Sequence, residues 1–190
     1  MRSLILAGGR SSRMGRDKAM IEVEGTSLIC RVATALSKAA LEPIRVAVSS
    51  PEDIDAYGET IDIGIEIEWV VDGEAHAGPI EAIIEAVFDK QSDSSTIQLS
   101  PVDVPWITPE LFLAIGEVLN DDDILAMPYD GAWSHPLLAR IRPETIGGML
   151  MRDKRPLHEQ FTEVQHSLLM VEPGLIRNVN TPDDLQSHLP

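Results

Sequence analysis

The sequence is short of cysteine, lysine and long apolar runs, and each shortage excludes a class of protein. Cys30 is the only cysteine, so no internal disulfide can form, and its apolar helical surroundings predict a buried packing role. Only four lysines and eleven arginines stand against 31 acidic residues, so a general basic surface for nucleic acid is missing. No apolar run approaches the roughly 20 residues that span a bilayer, and the N-terminal apolar stretch lacks the features of a signal peptide. We therefore expect a cytoplasmic protein that binds neither nucleic acid nor membrane.

The length and the apolar content are those of a folded domain. The 190 residues fit one domain over 1–190, and a hydrophobic content of 44% argues against disorder. The formal net charge is −16. Such a surface suits an ordinary acidic enzyme, which is the interpretation we favour, and it also suits a protein of a high-salt cytoplasm.

Strand-like and helix-like segments alternate along the chain, which is typical of an α/β fold with a mostly parallel central sheet. In such folds ligands bind beyond the carboxyl ends of the strands, where the candidate functional segments of this sequence fall. Strands are predicted at residues 2–6, 44–48, 66–71, 96–99, 124–127, 137–141 and 168–171. Helices are predicted at residues 28–41, 79–88, 108–119, 143–150, 156–161 and 182–188.

The first eighteen residues carry the most specific pattern. A short apolar strand ends at Gly8-Gly9, and glycines let main-chain N–H groups approach a bound anion closely. Four cationic side chains follow in the same loop: Arg10, Arg13, Arg16 and Lys18. In so acidic a chain, this local reversal of charge indicates a phosphate-binding loop, although it is neither a Walker loop nor a dinucleotide-binding fingerprint. The alternative is an ordinary strand-to-helix loop with surface arginines.

Two aspartates directly follow predicted strands. Asp103 is well placed to hold Mg²⁺ through a hard oxygen, and as an alternative it is a turn residue between two prolines. Asp72, in an Asp-Gly pair, is either a turn residue or an acceptor for the N1–H and amino group of guanine. Ser49 follows another strand, and Gly78 precedes a predicted helix.

The loop over residues 6–18 resembles the signature loop of the molybdenum cofactor guanylyltransferases, members of the Rossmann-like nucleotidyltransferase superfamily. Further segments that resemble this family follow in order at residues 72–80, 99–105, 130–136 and 178–185. The resemblance implies a three-layer Rossmann-like fold of the nucleotide-diphospho-sugar-transferase type and a Mg²⁺ cofactor. The sequence departs from the family at Glu81-Ala82, where the family has Ala-Gly.

The resemblance also implies roles for individual residues. Lys18 would contact the α-phosphate during transfer, and Arg13 would hold the β- and γ-phosphates. His135, Asn178 and Asn180 would contact the acceptor, and Asp103 would hold the metal. The implied nucleotide-binding residues are Leu6, Ala7, Gly8, Gly9, Lys18, Ser49, Asp72, Gly78 and Asp103.

The function implied is transfer of GMP from GTP to the terminal phosphate of molybdopterin, with release of pyrophosphate. The acceptor phosphate is already ionised, so no protein nucleophile is needed. Alternatives are a related enzyme that uses CTP with molybdopterin or GTP with adenosylcobinamide phosphate, and a nucleotide-binding regulator without turnover. The resemblance leaves open transient contact with other molybdenum cofactor proteins.

Overall fold

The computed structural model describes residues 2–7, 17–71, 78–88, 95–181 and residue 184. The strands are β1 (Ser3–Leu6), β2 (Glu22–Val23), β3 (Thr26–Ser27), β4 (Ile44–Val48), β5 (Ile67–Val71), β6 (Ile97–Pro101), β7 (Leu125–Tyr129), β8 (Arg140–Ile141) and β9 (His166–Met170). The α-helices are α1 (Leu28–Lys38), α2 (Pro51–Gly58), α3 (Pro79–Phe88), α4 (Pro109–Val118), α5 (Pro143–Arg152) and α6 (Leu157–Glu163). Within these residues, none of the helices has the length and apolarity to cross a membrane.

The central sheet contains seven strands in the order β5-β4-β1-β6-β8-β7-β9. β1 is parallel to both of its neighbours, β4 and β6, and only the two-residue strand β8 runs against the others. The chain moves outward from β1 through β4 to β5 and then returns to pair β6 on the other side of β1. The strand order therefore reverses between β1 and β6, and a crevice opens at the carboxyl ends of these two strands.

Two hydrophobic clusters lie on opposite faces of the sheet, because successive side chains of a strand point to opposite sides. Ile5 of β1 packs into the cluster that holds α1, α2 and α4. Leu4, its neighbour, packs into the cluster that holds α3, α5 and α6. These three layers confirm the predicted α/β architecture. Cys30 is buried in α1, as its apolar surroundings predict.

Helix α2 is absent from the sequence-based prediction, although its start carries a recognisable signal. Pro51 occupies the first turn, where the missing N–H costs little, and the Ser50 backbone N–H donates to the Asp53 carboxylate at 3.0 Å. Because α2 has a weak apolar face, with Tyr57 its only buried residue, the apolar pattern does not distinguish this helix start from a turn that ends β4. The β2–β3 hairpin was also missed, since each of its strands has two residues.

The strand predicted over residues 137–141 is wrong in its first half. Pro136–Leu138 forms a 3₁₀ turn, and only Arg140–Ile141 pairs with β6 and β7. Pro136 causes the difference, because its fixed φ suits the first position of a helical turn and its nitrogen cannot donate to a ladder. The closing helix predicted over residues 182–188 lies outside the described residues, apart from residue 184.

Substitution of two adjacent glycines of α5 tests how closely this helix packs against α3. A Cβ built on Gly147 would lie 2.7 Å from Val87 Cγ1 and 3.0 Å from a Phe88 ring carbon, whereas one built on Gly148 would have no neighbour within 4 Å. We expect Gly147→Ala to lower the free energy of unfolding by about 1–2 kcal/mol through overpacking. The matched control Gly148→Ala should raise it by up to about 1 kcal/mol, since alanine is the better helix former. Urea denaturation measures both, and equal effects of the two substitutions would contradict this packing.

Candidate active site

The crevice between β1 and β6 brings together three residues that are far apart in the sequence. The Lys18 ammonium lies 3.1 Å from Asp103 Oδ2, across 85 residues. It also donates to Asn180 Oδ1 at 2.7 Å, across 162 residues. The Lys18 and Asp103 side chains are 21% and 17% exposed, so this ion pair is partly shielded from solvent but still accessible.

The turn that carries Lys18 is held in position by Asp17 and Tyr57. Lys18 starts a 3₁₀ turn, Lys18–Met20, which is capped by Asp17 because the Asp17 carboxylate accepts the Ala19 N–H at 3.0 Å. The other oxygen of Asp17 accepts the Tyr57 hydroxyl of α2 at 2.6 Å. Burial of the Tyr57 ring and the Asp17 charge both raise the pKa of that phenol, so Tyr57 remains a donor. The turn that presents Lys18 is thus anchored to the core.

Asp103 follows β6, between two core residues. Val102 and Val104 are buried, so the Asp103 carboxylate is directed to the other side of the backbone, toward Lys18. The Asp103 carbonyl also accepts the N–H of Val179 at 2.8 Å. This bond fixes the distant segment 178–180 against the end of β6, and the buried side chain of Val179 strengthens the attachment.

The segment that carries Asn180 is fixed by its own capping interactions. The Asp184 carboxylate accepts the backbone N–H groups of Asn180 and Thr181, each at 2.8 Å, and the Thr181 hydroxyl at 3.0 Å. These bonds lower the pKa of Asp184, since each of them stabilises the ionised form. The backbone of Asn180 takes part in these capping bonds, and its side chain accepts a hydrogen bond from Lys18.

Arg31 of α1 joins the loop after β6 to the small hairpin. Its Nε donates to the Pro105 carbonyl at 2.9 Å, and its Nη1 donates to the Val23 carbonyl at 3.1 Å. The guanidinium therefore holds two segments that flank the Asp103–Lys18 pair. Arg31 is a positioning residue that the sequence analysis did not identify.

The fit of a metal ion can be tested on the unpaired oxygen of Asp103. Asp103 Oδ1 is buried and has no hydrogen-bond partner among the described residues. A carboxylate oxygen that has lost its water needs a donor or a cation. No group of three or more His, Cys, Asp or Glu side chains able to hold a metal occurs in the described part of the chain. The unpaired Asp103 oxygen by itself is compatible with Mg²⁺, which takes one or two protein oxygens and completes its shell with phosphate and water.

A pocket of about 670 Å³ adjoins this centre. It is lined by Pro101 at the end of β6 and by Asn178, which are two residues from Asp103 and Asn180 respectively. His135 and Trp133 form part of its wall, together with His158 of α6 and Leu168 of β9. The volume is within the usual range for small-molecule sites.

One side of this pocket is formed by a turn whose backbone N–H groups donate to the Asp130 carboxylate. Asp130 Oδ1 accepts the N–H groups of Ala132 and Trp133 at 2.8 and 2.7 Å, and His135 Nε2 lies 2.9 Å from Asp130 Oδ2. The backbone N–H of Trp133, followed by His135, lowers the pKa of Asp130 to about 2. An ionised carboxylate only accepts, so the His135 Nε2 carries the proton in this pair. His135 both orders the turn and lines the pocket.

A second pocket of about 550 Å³ lies beside the first and shares Pro136, Leu137 and His158 with it. Gly78 lines it with a φ of +98°, a conformation that favours glycine. Glu81, which stands where the resembled family has a small residue, accepts from Lys154 Nζ at 3.1 Å. The additional negative charge in the first turn of α3 is thus paired across the pocket.

Comparison with known proteins shows which family the chain resembles. The family model described as a MobA-like NTP transferase domain matches residues 3–155. The chain belongs to this family. The match contains β1, Lys18, Asp103 and the Asp130 turn, whereas Asn178 and Asn180 lie beyond it.

Several relatives and solved structures are similar to this MobA-like chain over nearly its whole length. A molybdenum cofactor guanylyltransferase of Rhizobium johnstonii is 29% identical, with 96% of this chain and 88% of the relative covered. A probable molybdenum cofactor guanylyltransferase of Natronomonas pharaonis is 27% identical, with 96% and 94% covered. The crystal structure of molybdopterin-guanine dinucleotide biosynthesis protein A from Archaeoglobus fulgidus has a TM-score of 0.73 at 22% identity, covering 98% and 96%. A 4-diphosphocytidyl-2C-methyl-D-erythritol synthase of Anaerococcus prevotii shares the fold, with a TM-score of 0.75 at 14% identity and 98% and 92% covered.

The predicted site residues of this MobA-like domain fall into three groups. Lys18, Asp103 and Asn180 meet directly, and His135 and Asn178 line the adjoining pocket. Leu6 ends β1 at the same crevice and Ala7 follows it, Ser49 follows β4 at that edge, and Gly78 lines the second pocket. The predictions at Gly8, Gly9, Arg13 and Asp72 lie outside the described residues.

Besides Arg31, three residues at or beside the site were missed: Tyr57, Trp133 and His158. Tyr57 belongs to the helix that was not predicted, and His158 is an isolated histidine in a predicted helix. Trp133 lies inside the segment 130–136 that resembles the family, at one of the three positions between Asp130-Gly131 and His135-Pro136 that this resemblance leaves variable. Only packing reveals these three, because no local pattern marks them.

The Asp130 turn makes stability depend on pH. Since the folded pKa of Asp130 is about 2 against an ordinary value of 3.8, its contribution is fully present above about pH 4 and is lost as pH falls through 2. We expect Asp130→Ala to lower the free energy of unfolding at pH 6, and the difference from the unsubstituted protein to shrink between pH 4 and 2. Denaturation at a series of pH values measures this, with Asp121→Ala on the exposed surface as the control. A difference that is constant with pH would contradict the assigned pKa.

Proposed function

We propose that this chain is a Mg²⁺-dependent guanylyltransferase that transfers GMP from GTP to the terminal phosphate of molybdopterin. The observation that carries the proposal is the Lys18 ammonium held between Asp103 and Asn180 at the reversal of strand order, where α/β sheets bind their ligands. The relatives named as molybdenum cofactor guanylyltransferases support the choice of substrates.

Lys18 has the donor capacity that the reaction needs. An ammonium has three N–H donors, and two of them are used by Asp103 and Asn180. The third is available to an oxygen of the α-phosphate. Negative charge grows on that phosphate in the transition state, so a cation fixed there in advance stabilises the transition state more than the ground state.

The transfer is a displacement at the α-phosphorus. An ionised oxygen of the acceptor phosphate forms a bond to this phosphorus, and the bond to the oxygen bridging the α- and β-phosphates breaks. Pyrophosphate leaves with that electron pair, and the nucleotide becomes joined to the acceptor through a new pyrophosphate linkage. The chain contributes position and charge, since no protein nucleophile takes part.

Asp103, with the Asn180 amide oxygen beside it, would hold the Mg²⁺. The metal would offset the charge of the phosphate oxygens during transfer. A metal there would give the buried Asp103 Oδ1 the partner that it lacks among the described residues.

The acceptor would occupy the pocket lined by His135 and Asn178. Asn178 is two residues from Asn180, and Pro101 is two residues from Asp103. Because Asn180 and Asp103 both contact Lys18, a ligand in the pocket can place a phosphate at Lys18. Two residues of chain span at most about 7 Å, so the two sites adjoin.

Substitutions of the ion pair test the catalytic assignment. Lys18→Ala and Asp103→Asn should each lower kcat by roughly 100-fold or more, because each removes charge stabilisation of the transition state. The measurement is pyrophosphate release with GTP, Mg²⁺ and molybdopterin, and circular dichroism checks that the fold persists. Lys38→Ala and Asp121→Asn, both on the exposed surface, are the matched controls. Near-normal turnover in Lys18→Ala and Asp103→Asn would refute the assignment, and no pyrophosphate release by the unsubstituted protein would favour a regulatory role.

Comparison of kcat/KM for different nucleotides tests the choice of GTP as the donor. We expect kcat/KM with GTP to exceed that with CTP or ATP by at least about tenfold, since a site that accepts hydrogen bonds from guanine leaves its acceptors unpaired with the other bases. The three nucleotides are compared with molybdopterin as the common acceptor. A preference for CTP would identify the cytidylyl reaction instead.

A further inference from the structure

Trp133 is 74% exposed, which is unusual for a residue with so large an apolar side chain. The backbone that carries its ring is held in a hydrogen-bonded turn. The Trp133 N–H donates to Asp130 Oδ1 at 2.7 Å, and its carbonyl accepts the Asp130 N–H at 3.1 Å. The turn therefore fixes the point on the backbone from which the ring projects.

The exposed ring belongs to the wall of the 670 Å³ pocket rather than to an isolated patch. Tyr129 and Leu168 contribute further apolar surface to this pocket, and Asn178 and His158 contribute polar groups. An apolar flat surface with a few polar groups around it is the usual composition of a site for a planar, polar heterocycle. A purely aliphatic ligand would leave those polar groups without partners.

We propose that Trp133 is the stacking platform for the fused pterin ring of the acceptor and so determines which acceptor binds. The inference rests on the proposed function, because the acceptor phosphate must reach Lys18 from this pocket. Stacking against an aromatic face tolerates rotation in the plane, and the polar groups of Asn178 and His158 then fix the orientation of the ring. Lys18, where the nucleotide phosphates would lie, is not among the residues that line this pocket, so we expect loss of the Trp133 ring to weaken acceptor binding and to leave GTP binding unchanged.

Steady-state kinetics of Trp133→Ala and Trp133→Phe test the proposal. The turn uses only backbone atoms of Trp133, so both variants retain it. Loss of the stacking face in Trp133→Ala should raise the KM for molybdopterin by about tenfold or more, while Trp133→Phe should stay within about threefold. The KM for GTP and kcat at saturating acceptor should change by less than about twofold in both.

Met151→Ala is the matched control, since Met151 is an exposed apolar residue of α5 at 61% exposure outside the pocket. An acceptor KM in Trp133→Ala equal to that of the control would overturn the proposal. So would a rise in the KM for GTP alone, which would assign the ring to the nucleotide base.

Tryptophan fluorescence gives a readout that needs no turnover. A simple pterin, 6-hydroxymethylpterin, should quench the emission of the unsubstituted protein, and GTP with Mg²⁺ should not. Trp133→Phe retains Trp69 and Trp106, so the quenching that it loses belongs to Trp133. Quenching without dinucleotide synthesis would refute the proposed function and support the stacking site. Synthesis without quenching by either the pterin or molybdopterin would refute the stacking site alone.

Discussion

The ion pair between Lys18 and Asp103 is the interaction on which the candidate site depends. It joins the turn after β1 to the end of β6 at the place where the strand order reverses. A lone ammonium there would repel other cations, and a lone carboxylate would repel a triphosphate. Together they form a centre that is nearly neutral at rest and that can exchange partners when an anionic nucleotide and a cation enter together.

The rest of the architecture keeps this pair in place. Tyr57 holds the Lys18 turn through Asp17, and the Asp103 carbonyl holds the segment that carries Asn180. Arg31 donates hydrogen bonds to the loop after β6 and to the β2–β3 hairpin. Each contact comes from a different element of the layer formed by α1, α2 and α4 or from the end of the chain. The geometry of the centre therefore depends on correct packing of that whole layer.

The site has two ends of different chemistry. The Lys18–Asp103 end offers charge and suits phosphates, whereas the pocket beside it offers aromatic surface and a few polar groups. The Asp130 turn gives the second end its rigidity, because one carboxylate orders both the Trp133 backbone and the His135 ring. A ligand with a phosphate at one end and a planar ring at the other matches both ends at once.

The sequence by itself determined the α/β class and indicated that Lys18 and Asp103, which follow different strands, lie at one edge of the sheet. They follow from local patterns, namely apolar periodicity and the glycine and proline signals. They also follow from the general rule that parallel strands bring their carboxyl ends to one edge of the sheet. Helix α2 and the first half of the segment 137–141 were not recovered, because a weak apolar face and a proline made the local signal ambiguous. Only the tertiary structure decided that Asn180 reaches Lys18 across 162 residues, that Asp103 Oδ1 is left without a described partner, and that Trp133 faces a pocket. Such contacts depend on strand register and on how distant segments pack, which no short stretch of sequence encodes.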